Sequence, residues 1–473
     1  MADFTGITLS SLNNSLRDLP LDPGVLQPDH VLTSDLLKAL QGRIVNRNFD
    51  PGGNWQFLIE TDVPMDATIH YENADIPLPQ DSAYVLGTFP VREVIVNAGL
   101  THKALDMARG MPGSWFAAQV RALVLRQQNF DQMMNRSLAL NGTGALARIV
   151  SVSLSGTTLT VTCDNTYNDT GIENVARIQK GMKIEVYASD LTTKRDDSAG
   201  ATSWEVTGVT FGDRKNGAAT TGKFTITTDS GHGFSDNDVV YAERAKSSAV
   251  SNPFFMGLLA WVQDGTHYSG AAFKVSTYGG LTRSSYESLM ARIYDADDFA
   301  SGGSAGTPDD WNLSTISTAF NDCLSGSGKD IPDLLLCESN LAMAITRRQK
   351  SEGGFNVTVN SGPALTGAET AVGSTFAGKF LAPTGALIPI VVCNTLPRNV
   401  LYGIKTSDLV WATLGGFNNW APKLGVAAQA GDVWMMAPGG RKTNYEAPFG
   451  GYIQIVSKRC DRHFVIRDML DNI

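Results

Sequence analysis

Charge is scarce in this chain. Asp, Glu, Lys and Arg make up 18% of its 473 residues, and the formal net charge is −9. With 42% hydrophobic residues, the shortage argues against disorder and leaves enough apolar material for a substantial core. Low charge also suits a protein that hides much of its surface against other subunits, but many globular enzymes have the same composition. No long Lys/Arg cluster is present, which speaks against a dedicated nucleic-acid binder, and Arg347, Arg348 and Lys350 read as solvated charges at a helix end. Long hydrophobic runs are missing too. The longest, such as LIPIVVC from Leu387, are far too short to cross a bilayer as a helix. The opening MADFTGITLSSL has neither the basic start nor the apolar centre of a signal peptide, so the chain is expected to be soluble and intracellular when made. Cysteine is limited to Cys163, Cys323, Cys337, Cys393 and Cys460, an odd, scattered set without C-x-x-C, which reads as reduced, mostly buried thiols.

Catalytic patterns are equally sparse. His30, His70, His102, His232, His267 and His463 form no H-x-x-x-H pair, so no metal ligand set is named. Gly302-Gly303-Ser304-Ala305-Gly306 matches G-x-S-x-G in letters. It lacks the strand before and the helix after that a nucleophile elbow needs, and reads as a linker. GSGKD at Gly326 lacks the first glycine and the final Ser/Thr of a phosphate-binding loop. The pairs Asp196-Asp197, Asp297-Asp298 and Asp309-Asp310 read as solvated loop charge. No catalytic residue, cofactor-binding residue or metal ligand is assigned, and the chain is read as no enzyme.

What is present is an ordered series of textures. Residues 1–54 are polar and proline-rich, an extended arm with one short helix at TSDLLKALQGR. In 55–100, WQFLIETDV, ATIHYEN and REVIVNAG are strand-like. They flank the proline-containing stretch ADIPLPQDSAYVLGTFP and suggest a projecting two-stranded loop, marginal alone in water. Residues 101–144 hold one long helix from Phe116 to Leu138, roughly 35 Å at 1.5 Å per residue. Phe116, Val120, Leu123, Phe130, Met134 and Leu138 share a face. Ser114, Arg121, Gln128, Gln132 and Arg136 lie opposite, on a side left for solvent or a neighbour.

Residues 145–251 carry short strand and turn signals suited to a small barrel or sandwich. LTVT at Leu159 and FTIT at Phe224, followed by EVYA and VVYA, echo one another as a duplicated half-barrel or as ordinary strand vocabulary. This block reads as an insertion, because helical patterns flank it. In 252–425, FFMGLLAWVQDG, SYESLMARIYDAD, WNLSTISTAFNDCLSG and NLAMAITRRQK read as helices, IPDLLLCES as a buried strand, and 351–377 as a Gly/Ser/Thr-rich excursion. Strands return through LIPIVVCN and NVLYGIKT and close the chain in 426–473 with DVWMMAP, GYIQIVSKRC and RHFVIRDM. The fold class is α+β with an inserted all-β, barrel-like domain.

The order of arm, projecting loop, long helix and mixed body resembles the major capsid proteins of tailed bacteriophages, whose fold encapsulin compartments share. FLIETDV through EVIVNAG is similar to the family's E-loop. SWFAAQVRALVLRQQNFDQMMNRSLALNG is similar to its spine helix. NPFFMGLLAWVQDGT and TYGGLTRSSYESLMARI resemble the segments that follow. IPDLLLCESNLAMAI resembles a buried strand and helix of the body, and RCDRHFVIRDM the closing strand.

The resemblance implies an N-arm (1–54), an E-loop (55–100), a P-domain with its spine helix (101–144), a P- and A-domain body (252–425) and closing P-domain strands (426–473). It implies hexamers and pentamers of the chain forming an icosahedral head around double-stranded DNA, which is enclosed without sequence-specific binding and without a membrane. It also implies a portal, a possible decoration protein, and a location in the virion after assembly in the host cytoplasm. Some members crosslink an E-loop lysine to a neighbour. No Lys lies between Lys38 and Lys103 here, so a non-covalent shell is expected. Few residues precede the long helix, so a separate scaffolding protein is expected. The alternatives are an encapsulin-like compartment, or a hydrolase whose β-block binds carbohydrate through exposed aromatics such as Trp204; a tail or adhesin protein is disfavoured by the lack of fibrous repeats.

Overall fold

A computed structural model describes residues 35–40, 43–48, 54–62, 83–101, 130–163, 175–210, 222–228, 231–246, 254–266, 273–298, 310–326, 328–352, 378–393, 395–419, 435–436 and 444–470. The elements begin with helix α1 (Asp35–Leu40) and strands β1 (Val45–Asn48), β2 (Asn54–Asp62), β3 (Ala83–Pro90) and β4 (Arg92–Thr101). Helix α2 covers 130–138. Six strands follow: β5 (Ala145–Ser155), β6 (Thr158–Cys163), β7 (Lys183–Tyr187), β8 (Trp204–Thr210), β9 (Lys223–Thr227) and β10 (Val239–Ala242). After the single helical turn α3 (Leu258–Trp261) come β11 (Thr277–Tyr278), β12 (Leu281–Thr282), β13 (Arg292–Asp295), α4 (Leu313–Ser325), β14 (Leu334–Cys337) and α5 (Ser339–Glu352). The series ends with β15 (Lys379–Leu381), β16 (Leu387–Val392), β17 (Leu401–Ile404), β18 (Leu409–Asn419), β19 (Met435–Met436), β20 (Asn444–Ser457) and β21 (Phe464–Arg467). The chain is α+β.

Among the described residues these elements form three main sheets and two separate two-stranded pairs, β2-β3 and β11-β12. β20 is the hub of a five-stranded sheet. Its first half pairs antiparallel with β4 and its second half with β18, which carries β1 alongside. A six-stranded sheet runs β13-β21-β17-β14-β16-β15. Its strand β14 shows why LLLC needs no polar residue. Leu334 and Leu336 enter one hydrophobic cluster while Leu335 and Cys337 enter the other, so both faces are covered. Helix α4 lies on the second face. Asn312 caps it, its Oδ1 accepting from Thr315 N at 3.0 Å, and Thr315, Ile316, Ala319, Phe320 and Cys323 are its buried stripe.

The third sheet is a closed barrel in the order β10-β5-β6-β9-β8-β7. Alternation fills it from within: Leu159 and Val161 of β6 and Phe224 and Ile226 of β9 are fully buried. Each echoed tetrapeptide lies beside its counterpart. Leu159 and Val161 pair with Ile226 and Phe224, and Val186 pairs with Val240.

The structure corrects several sequence readings. The long helix is described only over 130–138. Its polar side there is covered rather than open: Gln132 Oε1 accepts from Gln179 Nε2 at 3.0 Å, and Arg136 Nη1 donates to Arg177 O at 3.3 Å. The barrel unit thus buries a polar face by pairing it. FFMGLLAWVQDG yields only the single turn α3. SYESLMARIYDAD is not a helix but two 3-10 turns followed by β13, which pairs parallel with β21. A partner strand from the chain's other end outweighs a weak local helical pattern. The projecting loop is also built differently. β2 pairs with β3, drawn from the proline-containing stretch, while β4 leaves for the central sheet. ATIHYEN, the 1–34 arm, the start of the long helix, the G-x-S-x-G stretch and 353–377 lie outside the described residues.

Candidate assembly surface

Chemistry was sought first among the titratable residues. Among the described residues no group of three or more His, Cys, Asp or Glu could hold a metal ion, and all five cysteines are buried thiols outside any disulfide. Asp197 Oδ1 closes its own turn by accepting from Ala199 N and Ala201 N, Asp298 Oδ2 accepts from Asp295 N, and Asp310 pairs with Arg348. Trp204 is not exposed. It is buried in the barrel unit, edge-on to Phe234 at 4.8 Å, so the carbohydrate reading loses its aromatic platform.

Among the described residues one Ser–His contact remains, Ser457 Oγ to His463 Nε2 at 2.7 Å. His463 Nδ1 accepts from Lys405 N at 3.0 Å, so the ring proton sits on Nε2 and points at the serine oxygen. Ser457 Oγ donates onward to Arg459 O at 2.8 Å. A base that activates serine must accept its proton, and this one donates, inside a fully buried site.

The contact is a clamp with a pH signature. Burial pushes the His463 pKa down to about 3 from 6.5, with Arg462 and Arg283 adding to it. Between those values the unfolded chain carries the additional proton. Stability is therefore complete above about pH 6.5 and falls as pH drops toward 3, by about 1.4 kcal/mol per pH unit where the histidine is the only group titrating. His463→Gln is expected to remove that one-proton slope from urea unfolding midpoints between pH 6 and 4. An unchanged slope would refute the assignment.

The clamp fixes the base of the hairpin formed by β2 and β3. Ser457 N donates to Tyr278 Oη at 2.8 Å, and Tyr278 Oη donates to Ser457 O at 3.1 Å. The Tyr278 ring stands edge-on to Phe89 at 4.8 Å, beneath the Arg283 guanidinium at 4.7 Å. Thr88 N donates to Gly279 O at 2.8 Å. Gly279 sits at φ +62°, and a Cβ there would lie 3.1 Å from Phe57 and 3.2 Å from Phe89. Trp55, Phe57 and Phe89 stack with centroids 5.7 to 6.3 Å apart, and with Ile59 they bury one face of the hairpin on the body.

The other face is open. Leu58 stands directly opposite Leu86, and Glu60 opposite Tyr84. Leu58 is 67% exposed, Tyr84 58% and Leu86 46%. Tyr84 Oη donates to Glu60 Oε1 at 3.3 Å. The open face of the hairpin thus presents Leu58, Leu86 and the Tyr84 ring among the polar Gln56, Glu60 and Thr88. Period-two alternation along NWQFLIETD carried that signal: if Trp55, Phe57 and Ile59 share a face, Leu58 must take the other.

No family model matches the sequence, and no curated protein matches it. Among solved structures, the chain is similar to the cyanophage A-1(L) capsid asymmetric unit, with a TM-score of 0.48 and 10% identity over 97% of this chain and 99% of that one. It is similar to the capsid of the native GTA particle, with a TM-score of 0.43 and 9% identity over 98% and 99%. It is also similar to the holo-SrpI encapsulin complex from Synechococcus elongatus PCC 7942, with a TM-score of 0.38 and 8% identity over 93% and 92%. At such identities the role of this chain has to be read from its own features.

Proposed function

We propose that this chain is the shell subunit of a tailed-phage-type capsid, a tile that assembles with copies of itself into pentamers and hexamers around double-stranded DNA. The observation that carries the reading is the two-stranded hairpin with Leu58, Tyr84 and Leu86 exposed on its outer face. Two strands alone are marginal in water, and each large apolar side chain left uncovered forgoes about 1.5–3 kcal/mol of burial. A neighbouring copy laid on that face recovers it.

Within this reading, residues 1–54 are the arm, 55–100 the E-loop region, 101–144 and 252–473 the body, and 145–251 an inserted barrel domain. A separate scaffolding protein, a portal and a decoration protein are its expected partners, and the virion is its location. Light scattering and negative-stain imaging of the purified full chain test it. Closed particles of many copies are expected, whereas a monodisperse monomer at high concentration overturns the proposal. Because no Lys lies between Lys38 and Lys103, the hairpin has no amine for an isopeptide link. Particles boiled in detergent should therefore run as a single band at 50.7 kDa, and a ladder of linked species would contradict this.

A further inference from the structure

Arg195, Arg459, Arg462 and Arg467 each hold a carboxylate oxygen at 2.6 to 3.3 Å, the usual condition for a guanidinium drawn out of water. Arg92 differs. It is half-buried in β4, its Nε is buried without a hydrogen-bond partner, and it forms no ion pair among the described residues. Burial alone pulls its pKa below the ordinary value, with no neighbouring carboxylate to offset the cost.

Arg92 lines a cleft of about 210 Å³ together with Val94 of β4, Met133 of α2, Arg244 just past β10, and Phe254 and Phe255. A second unpaired cation therefore borders the same space. Arg244 is exposed and forms no ion pair among the described residues. Its main chain has φ +61°, a left-handed conformation that long side chains seldom adopt. Arg244 N donates to Glu185 Oε1 at 3.1 Å, which pins that conformation. The same Glu185 oxygen is already paired with Lys194 Nζ at 3.0 Å, so it is not a counter-charge held for the Arg244 side chain. Among the described residues Glu93 is the only carboxylate on the lining, and it is exposed and paired with neither arginine.

We infer that this cleft binds a small, doubly charged oxyanion of the phosphate class, free or as the terminal group of a phosphomonoester, between the Arg92 and Arg244 guanidiniums. Two cations match two negative charges, and each planar guanidinium offers paired N–H donors to the oxygens of such a group. Size decides against a larger occupant. Sites for drug-sized ligands run from about 300 to 1,000 Å³. A space of 210 Å³ holds a phosphate group and a few waters, each about 30 Å³ in the liquid. The remainder of a phosphomonoester would have to lie outside it. Val94 and Phe255 are buried and keep the inner end apolar, which strengthens the attraction between the charges. One arginine comes from the central sheet and the other from the exit of the barrel, so the bound anion ties these two parts together. Neither arginine belongs to the exposed hairpin face, and the site stands or falls apart from the shell reading.

Titration calorimetry of the full chain with inorganic phosphate, against chloride at matched ionic strength, tests this. One phosphate per chain is expected. In urea unfolding, a tenfold rise in phosphate above its dissociation constant should raise the folding equilibrium constant about tenfold. Arg244→Gln changes an exposed side chain and should weaken binding about tenfold or more. Arg92→Met should abolish binding, yet leave the phosphate-free urea midpoint at or above the wild-type value, because it removes an unpaired charge. Glu93→Gln should tighten binding, since it removes a like charge from the rim. Adenosine monophosphate binding more tightly than inorganic phosphate would identify the source as a phosphomonoester, and weaker binding would identify the free ion. No saturable binding to the wild type, or binding unchanged in both arginine variants, overturns the proposal. A lowered midpoint in Arg92→Met with binding retained would also overturn it, by marking Arg92 as structural.

Discussion

A chain carrying Leu58→Ser and Leu86→Ser is expected to fold normally and remain unassembled. The two leucines face each other across the β2–β3 ladder and are 67% and 46% exposed in the isolated chain. Removing them takes little packing from the monomer, so its urea midpoint should move by no more than about 0.5–1 kcal/mol equivalent. The loss falls on the contact between copies. Two leucines covered by a neighbour contribute about 3 kcal/mol together even by a conservative area estimate, roughly a hundredfold in each contact's association constant. A closed shell repeats that contact in every copy, so the deficits multiply and particle formation should disappear from light scattering at concentrations where wild type assembles. Normal particles from this variant would show that the outer hairpin face is solvent surface and would remove the main support for the shell reading.

Gly257→Ala is expected to produce the largest loss of stability of any single methyl addition considered. A Cβ at this position would lie 2.4 Å from Leu140 O, 2.5 Å from Leu138 O and 2.6 Å from Ser137 O. These carbonyls cluster where α2 ends, and main-chain oxygens at a helix end cannot rotate aside as a flexible side chain can. Nor can the glycine retreat. Leu258, Leu259, Ala260, Trp261 and Val262 behind it are all fully buried. The segment must shift as a unit, at a cost of about 3 kcal/mol or more, beyond the usual penalty for an overpacked side chain. Gly385→Ala is the control. Its φ is +83° with no atom within 4 Å of the added carbon, so only the backbone preference is lost, about 1 kcal/mol. Equal urea midpoints for the two variants would show that close packing at Gly257 does not limit stability.

Gly257 also illustrates what a sequence hides. It stands in FFMGLLAWVQDG, where the apolar letters suggest a helix, yet only Leu258–Trp261 completes a turn. Its neighbours are carbonyls from before the barrel, brought there by the fold alone. The assembly face divides similarly. Alternation along β2 already separated Trp55, Phe57 and Ile59 from Leu58. That β3 rather than REVIVNAG would place Leu86 beside Leu58 depended on β20 at the far end of the chain, which takes β4 as its own partner. Arg92 and Arg244 gave no sign in the sequence of lining one cleft.

The sequence by itself determined the features that are local in cause. Period-two burial in β6 and β9, the all-apolar run of β14, the capped stripe of α4, the buried thiols and the acidity of the hairpin all follow from side-chain spacing and composition. Only the tertiary structure decided which strands meet: β13 as a strand on β21, the covered polar side of α2, the burial of Trp204 and the cleft shared by Arg92 and Arg244. The physical reason is one of scale. Local propensities differ by tenths of a kilocalorie per residue, while pairing a strand and covering its apolar face involves several, and the partner that provides them is chosen by the whole chain.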